Sequence, residues 1–189
     1  IGLTPHNHHA SLVESSFKTG KALFLEKPLC ISEEERIKLE SMAASSNELP
    51  IIMVGHNRRF SPHLEQLHRW LLLRKNPLVI QYRVNSGFVP SDHWVHSEGE
   101  GRSRIVGEMT HFIDLLNSIT GSSISRVHAE RIGGDNQSAV NNDNIAVTLK
   151  FEEGSVANLT YAASGDKAYS REKIEIFFEG NTVVSEDFR

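Results

Sequence analysis

The first sixty residues alternate short apolar runs with stretches of helical spacing. Apolar side chains within 9–19 recur at helical spacing, and Gly20 follows as a C-terminal cap. Residues 22–25 and 51–54 are apolar runs typical of buried strands, and residues 32–45 between them have the pattern of a helix. A strand, a helix and a second strand in succession predict parallel pairing through a right-handed crossover.

Beyond residue 60 the chain starts a new helix and then changes to strand patterns. Ser61 and Pro62 are a favoured N-cap and a favoured first helical residue. A second helical pattern covers 104–120 and ends at Gly121, and residues 133–142 are polar enough to form a loop. The segments with strand patterns are 78–84, 124–132, 144–151, 155–161, 173–178 and 182–187. We expect an α+β domain with a mostly antiparallel open sheet and a helix packed across one face.

Composition narrows the classes of function. The formal net charge of −4 argues against a nucleic-acid-binding surface, because such surfaces carry excess positive charge. No apolar run approaches the roughly 20 residues that span a bilayer, so no membrane partner is expected. Cys30 is the single cysteine, which excludes an intramolecular disulfide and favours a reducing, cytoplasmic location.

The segment 23–29 places a lysine where ligands often bind. An apolar run ends in Glu26, Lys27 and Pro28, and Ser32 then begins a capping box with Glu35. In an open α/β sheet, ligands bind at the carboxyl ends of the strands, which is where this pattern puts Lys27. The alternative is a surface lysine in an ordinary strand-to-helix turn.

The helix over 104–120 combines a core stripe with candidate chemistry. Its apolar residues recur at three- and four-residue spacing, and His111 lies off the centre of that stripe. Glu108 precedes His111 by three residues, so it can hydrogen-bond the imidazole and orient it. The alternative is a half-buried histidine satisfied by a neighbouring carboxylate.

Two other classes of function stay open on the residues alone. His6, His8 and His9 are closely spaced, as in some zinc sites, and would suit a metal-dependent hydrolase. A non-catalytic assembly module is the third class, because the alternating strands bury one face and leave the role of the other open.

Four motifs, in order along the chain, resemble the Gfo/Idh/MocA oxidoreductase family. They are Thr4-Pro5-His6 with His9-Ala10, Glu26-Lys27-Pro28, Gly55-His56-Asn57-Arg58-Arg59-Phe60, and His111-Phe112-Ile113-Asp114-Leu115. The resemblance covers essentially all 189 residues. It implies that residues 1–59 are the C-terminal part of a Rossmann-type doubly wound domain and that 60–189 form a substrate-binding and oligomerisation domain. No G-x-G-x-x-G turn occurs, so we expect the family's glycine-rich nucleotide-binding part to be missing from this chain.

The resemblance also implies an activity and a site. The activity is oxidation of a secondary alcohol of a sugar, inositol or related polyol by hydride transfer to NAD or NADP. The catalytic candidates are Lys27, His111 and Glu108, and no metal is expected. The cofactor-binding candidates are Thr4, Pro5, His9, Glu26, Lys27, Pro28, Asn57 and Arg59. The expected partners are the small-molecule substrate and further copies of the chain, which would form a homo-oligomer through the C-terminal sheet. We expect the chain alone to be inactive.

One position departs from the family pattern. Many members have an aspartate four residues before the histidine, where this chain has Gly107. Glu108 lies one position later, about 100° around the helix. We expect either that Glu108 takes the orienting role or that another group does.

Overall fold

The computed structural model describes residues 1–133 and 143–188. The helices are α1 (His9–Thr19), α2 (Glu33–Ser45), α3 (Pro62–Leu71) and α4 (Arg104–Thr120). The strands are β1 (Leu23–Leu25), β2 (Ile52–Val54), β3 (Val79–Asn85), β4 (Ile124–Arg131), β5 (Asn144–Phe151), β6 (Val156–Ala162), β7 (Glu172–Phe178) and β8 (Asn181–Glu186). In this described part, no helix is both long enough and apolar enough to cross a membrane.

The chain divides into two compact units. The first contains 1–56 and 92–111, and the second contains 57–91 and the chain from 112 onward. The predicted contiguous domains 1–59 and 60–189 stay a prediction, and the units differ from them because 92–111 groups with the first unit. Residues 104–111 of α4 are therefore counted with one unit and residues 112–120 with the other.

The first unit is built on a parallel pair of strands. Leu23 and Leu25 of β1 align with Ile52 and Val54 of β2, and Gly2 makes a further parallel bridge to Leu25. The core behind the pair contains Ala10, Val13, Leu25 and Leu39, so α1 and α2 contribute its apolar side chains. The parallel pairing agrees with the strand–helix–strand pattern.

Local chemistry sets the helix ends in this unit. Gly20 ends α1 in the left-handed region at a φ of 66°, and its N–H donates to the carbonyl of Ser16. Ser32 caps α2 by accepting from the N–H of Glu35, whose carboxylate accepts in turn from the backbone N–H of Ser32. The predicted capping box is thus present, and it fixes where α2 begins after the Lys27 turn.

The second unit contains a six-stranded sheet in the order β4-β5-β6-β3-β7-β8. Neighbouring strands are antiparallel except β3 and β6, which pair in parallel. Tyr82 and Tyr161 lie fully buried on one face, and the ring of Phe112 packs against both of them. The result is a mixed sheet with α4 residues over one face, close to the predicted mostly antiparallel arrangement.

The parallel pairing of β3 with β6 was not predicted. Strand patterns report which face of a strand is buried, but they do not report its neighbours. The predicted loop over 133–142 falls mainly on residues 134–142, which lie outside the described residues.

Candidate active site

The lysine turn lies at the end of β1. The carbonyl of Leu25 accepts from the N–H of Gly55 at 2.8 Å, so the end of β1 is tied to the segment after β2. A Cβ at position 55 would lie 3.2 Å from a carboxylate oxygen of Glu26, so glycine there lets Glu26 pack closely. Lys27 follows, half-buried, and the Lys27-Pro28 peptide bond is cis.

Lys27 contacts the first half of α4. Its Nζ donates to the carbonyl oxygen of Gly107 at 2.9 Å. His111 lies four residues after Gly107, one helical turn along the same face. The lysine turn and the helix that carries His111 are therefore joined within the first unit by a charge-assisted hydrogen bond.

His9 connects two of the predicted cofactor-binding segments. Its side chain is fully buried, with Nδ1 2.6 Å from the carbonyl oxygen of Pro28 and Nε2 2.9 Å from that of Thr4. Carbonyl oxygens only accept, so both hydrogen bonds form together only when both ring nitrogens carry hydrogen. His9 thus holds the exposed Thr4-Pro5 segment against the lysine turn.

The side chains around His111 and Glu108 are placed by specific partners. The ring of His111 packs edge-on against His56, with centroids 5.7 Å apart and planes at 82°. A carboxylate oxygen of Glu108 accepts from Nε of Arg104 at 3.1 Å, and Arg104 is buried. The predicted dyad of Glu108 and His111 stays a prediction, with the Glu108 carboxylate held by Arg104 one turn earlier.

His6 is the residue of this site whose titration changes most clearly. Burial, then the positive charges of Lys27 and His9, lower the pKa of His6 to about 4. Its ring lies edge-on to Trp94, with centroids 5.3 Å apart. Trp94 comes from the 92–103 segment, for which the sequence offered no motif.

That segment is held tightly to the first unit. A Cβ on Gly101 would lie 2.4 Å from the carbonyl oxygen of Val95, so the loop closes on itself with no room for a side chain there. The guanidinium of Arg102 donates to the carbonyl of Ile31 at 3.1 Å. The sequence signal for this close packing was the glycine at position 101, because glycine lets backbone segments approach closely.

Arg58 and Arg59 of the 55–60 motif are both bound in ion pairs of the second unit. Arg59 binds the Asp114 carboxylate through two hydrogen bonds of 2.8 and 2.5 Å, and these bonds raise the pKa of the guanidinium against the effect of burial. Asn57 is exposed in the short turn Asn57–Phe60. Asp114 belongs to the His-x-x-Asp-Leu motif, and its role as an arginine partner was not predicted.

Arg58 is part of a buried network that sequence reasoning also missed. Glu172 accepts from Arg58 at 2.6 and 3.2 Å and from the hydroxyl of Tyr82 at 2.6 Å. Burial, the Glu172 charge and the hydrogen bond to it raise the pKa of Tyr82. Arg58 also lies 4.7 Å over the ring of Phe112, so this network stabilises the core of the second unit.

The histidine cluster does not form a metal site in the described part of the chain. No group of three or more His, Cys, Asp or Glu side chains within residues 1–133 and 143–188 is placed to hold a metal ion. His9 directs both ring nitrogens at carbonyl oxygens, so neither is available as a ligand in this arrangement.

Comparison with known proteins identifies the family. The model of the GFO/IDH/MocA C-terminal domain matches residues 76–184, which is more than half of the chain. The chain belongs to the GFO/IDH/MocA family. The resemblance of its motifs to this family is thereby confirmed.

Individual relatives agree with this assignment. An uncharacterised oxidoreductase, YrbE, of Bacillus subtilis is 24% identical, with 98% of this chain and 54% of that protein covered. Inositol 2-dehydrogenase of Rhizobium meliloti is 25% identical, with 98% and 56% covered. The chain therefore spans about half the length of the curated relatives it matches.

A solved structure shows the same fold. The WlbA dehydrogenase of Bordetella pertussis, in complex with NADH and UDP-GlcNAcA, superposes with a TM-score of 0.78 at 15% identity. The superposition covers 97% of this chain and 57% of that protein.

Proposed function

We propose that this protein is an NAD- or NADP-dependent dehydrogenase that oxidises a secondary alcohol of a sugar, inositol or related polyol by hydride transfer. Family membership supports the reaction class, and the relative from Rhizobium meliloti carries the name inositol 2-dehydrogenase. The observation that carries the proposal is the hydrogen bond from Lys27 to Gly107, one turn before His111. This hydrogen bond places the Lys27 ammonium at the face of α4 that carries the candidate base His111, within one compact unit.

Different residues of the protein would remove the hydroxyl proton and stabilise the negative charge on the substrate oxygen. Oxidation removes the hydroxyl proton, and His111 is proposed as the base that accepts it. The Lys27 ammonium would stabilise the negative charge that develops on the substrate oxygen. Glu108, held by Arg104, is the proposed orienting group. A bound nicotinamide supplies the acceptor for the hydride that leaves the alcohol carbon.

The residues of the first unit fit a polar ligand. The side-chain oxygens of Asn7 and Thr110 are buried and have no hydrogen-bond partner among the described residues. Buried polar atoms are normally satisfied, so the Asn7 oxygen can accept a hydrogen bond from a bound group and the Thr110 hydroxyl can donate or accept one. Asn7 follows Thr4-Pro5, and Thr110 immediately precedes His111.

The proposed cofactor-binding residues divide into two kinds. Thr4, Pro5, Glu26 and Pro28 are proposed to line the nicotinamide with Lys27, and His9 to hold their two segments together. Asn57 and Arg59 stay proposed cofactor-binding residues on the basis of the family motif, and Arg59 is paired with Asp114.

A wider proposal concerns the whole protein. Residues 1–59 are proposed as part of a Rossmann-type domain, which the parallel pair β1–β2 and the Gly2 bridge support. A homo-oligomer through the C-terminal sheet is supported by Val79 and Phe177, which lie opposite each other in register and are both substantially exposed. Sedimentation of Phe177→Lys beside the unchanged protein tests this, because a charge in the interface should release monomers.

The proposed activity is tested with the complete natural polypeptide that carries this chain. It is incubated with NAD or NADP and a panel of inositols, free sugars and sugar nucleotides, and reduced cofactor is followed by absorbance. Turnover of a panel member that falls about 100-fold or more in His111→Ala is the expected result. Absence of turnover across the panel with both cofactors, in a folded protein, would contradict the proposal.

A further inference from the structure

His6 has no role in the proposed reaction, yet its side chain is held closely. Its ring packs against Trp94 and against His9, with centroids 5.3 and 5.7 Å away. His9 is itself fixed by the carbonyls of Thr4 and Pro28. The imidazole of His6 is therefore placed by its surroundings.

The ring of His6 lies directly over Gly107. An ideal Cβ on Gly107 would lie 3.0 Å from Cε1 of His6 and 3.5 Å from its Nδ1. Glycine is unfavourable inside a helix, so its presence there usually has a packing reason. Here the imidazole occupies the space next to the missing side chain.

The same glycine is the acceptor for Lys27. Its carbonyl oxygen lies 2.9 Å from Nζ of Lys27. Gly107 thus faces His6 at the place where a side chain would begin, and it contacts Lys27 through its carbonyl oxygen. A larger side chain at position 107 or at position 6 would force the backbone at Gly107 to shift. That shift would move the carbonyl oxygen that accepts the hydrogen bond from Lys27.

We propose that His6 is a positioning residue for Lys27, forming a size-matched pair with Gly107 that fixes where the lysine ammonium lies. This inference rests on the proposed function in one respect, which is that Lys27 takes part in the reaction. The imidazole suits this place because it is neutral near pH 7, its pKa being about 4. A protonated ring would put a second positive charge beside the ammonium.

A double-mutant cycle tests the pair. The variants are Gly107→Ala, His6→Asn and the double variant, because asparagine lacks the Cε1 atom that crowds position 107 but keeps an atom near Nδ1. We expect Gly107→Ala alone to lower kcat about tenfold, through displacement of the lysine, with a much smaller change in KM. In the His6→Asn background, Gly107→Ala should lower kcat only about twofold or less. Equal losses in both backgrounds would overturn the proposal.

Crystal structures of the variants give a second readout that does not need activity. The Lys27 Nζ to Gly107 oxygen distance should lengthen by a few tenths of an ångström in Gly107→Ala. It should return to the wild-type value in the double variant. An unchanged distance in Gly107→Ala would overturn the proposal even if the protein turned over none of the sugars tested. Failure of the pair and failure of the proposed function are therefore distinguishable.

A matched glycine provides the control. A Cβ on Gly99 would meet nothing nearer than the Ser97 hydroxyl at 4.0 Å, so Gly99→Ala should leave kcat and the lysine distance unchanged. If His6→Asn does not fold, His6→Ala replaces it in the cycle with the same expected outcome, because it also removes the crowding atom.

Discussion

Lys27 and Gly107, 80 positions apart in the chain, are joined by a hydrogen bond of 2.9 Å from the lysine ammonium to the glycine carbonyl. The bond brings the end of strand β1 to the helix face that carries His111. A charged donor makes such a bond stronger than a neutral one. It also holds a long, flexible side chain in one direction, as a group that stabilises developing charge requires.

Loss of the Lys27 ammonium should slow the reaction more than it weakens substrate binding. We expect Lys27→Ala to lower kcat about 100- to 1,000-fold, because a preorganised charge on the substrate oxygen is removed. Steady-state kinetics with the best substrate measures the effect. Lys38→Ala is the control, since Lys38 is an exposed partner of Glu14, and it should retain wild-type kcat. Equal kcat in the two variants would remove Lys27 from the reaction.

His9 should be important for stability, although it lies in a predicted cofactor segment. His9→Ala leaves the carbonyls of Thr4 and Pro28 without their donors and creates a cavity, so we expect a loss of about 2–4 kcal/mol in the free energy of unfolding. Urea titration measures it. His8→Ala changes an exposed neighbour and should stay within about 0.5 kcal/mol of wild type. Similar stabilities of the two variants would contradict the structural role of His9.

Glu172 should be more sensitive to loss of its charge than Glu175 of the same strand. Glu172→Gln leaves the largely buried Arg58 without its counter-charge, so we expect a loss of about 3–5 kcal/mol in the free energy of unfolding. Glu175→Gln is the control in the same strand, because its partner Lys173 is partly exposed and surface pairs contribute about 1 kcal/mol or less. Thermal or urea unfolding of both variants compares them, and equal losses would contradict the buried network.

The lowered pKa of His6 should make stability depend on pH. Between the ordinary histidine pKa of 6.5 and the folded value of about 4, the unfolded chain binds the proton more strongly, so stability falls as the pH falls through this window. His6 is only partly buried, and with solvent screening we expect a contribution on the order of 1 kcal/mol. Urea unfolding at pH 7.5 and pH 4.5 should show a smaller decrease for His6→Asn than for wild type. Equal decreases would show that His6 does not carry this dependence.

The elements of the fold could be predicted from sequence because their signals are local. The capping box of Ser32 and Glu35 and the left-handed Gly20 each act within a few residues, and the structure has both. The Lys27 turn at a strand end was equally visible. Its bond to Gly107 was not, because hydrophobic periodicity carries no information on contacts 80 residues apart.

The partners of charged residues were the least predictable part of the site. Arg58 with Glu172 is separated by 114 positions and Arg59 with Asp114 by 55, and no pattern along the chain links either pair. The family motif pointed to Arg59 as a cofactor contact, whereas the structure adds its ion pair with Asp114. The contact of Trp94 with His6 could not be predicted, because the loop of Trp94 joins the first unit through tertiary packing.

Fluorescence titration of NADH and NADPH tests the central claim most directly. The complete natural polypeptide that carries this chain is titrated with each cofactor, beside its Lys27→Ala and Lys38→Ala variants. We predict saturable binding of at least one cofactor, with altered affinity or nicotinamide emission in Lys27→Ala and wild-type behaviour in Lys38→Ala. Absence of binding by either cofactor to the folded protein would contradict the dehydrogenase assignment.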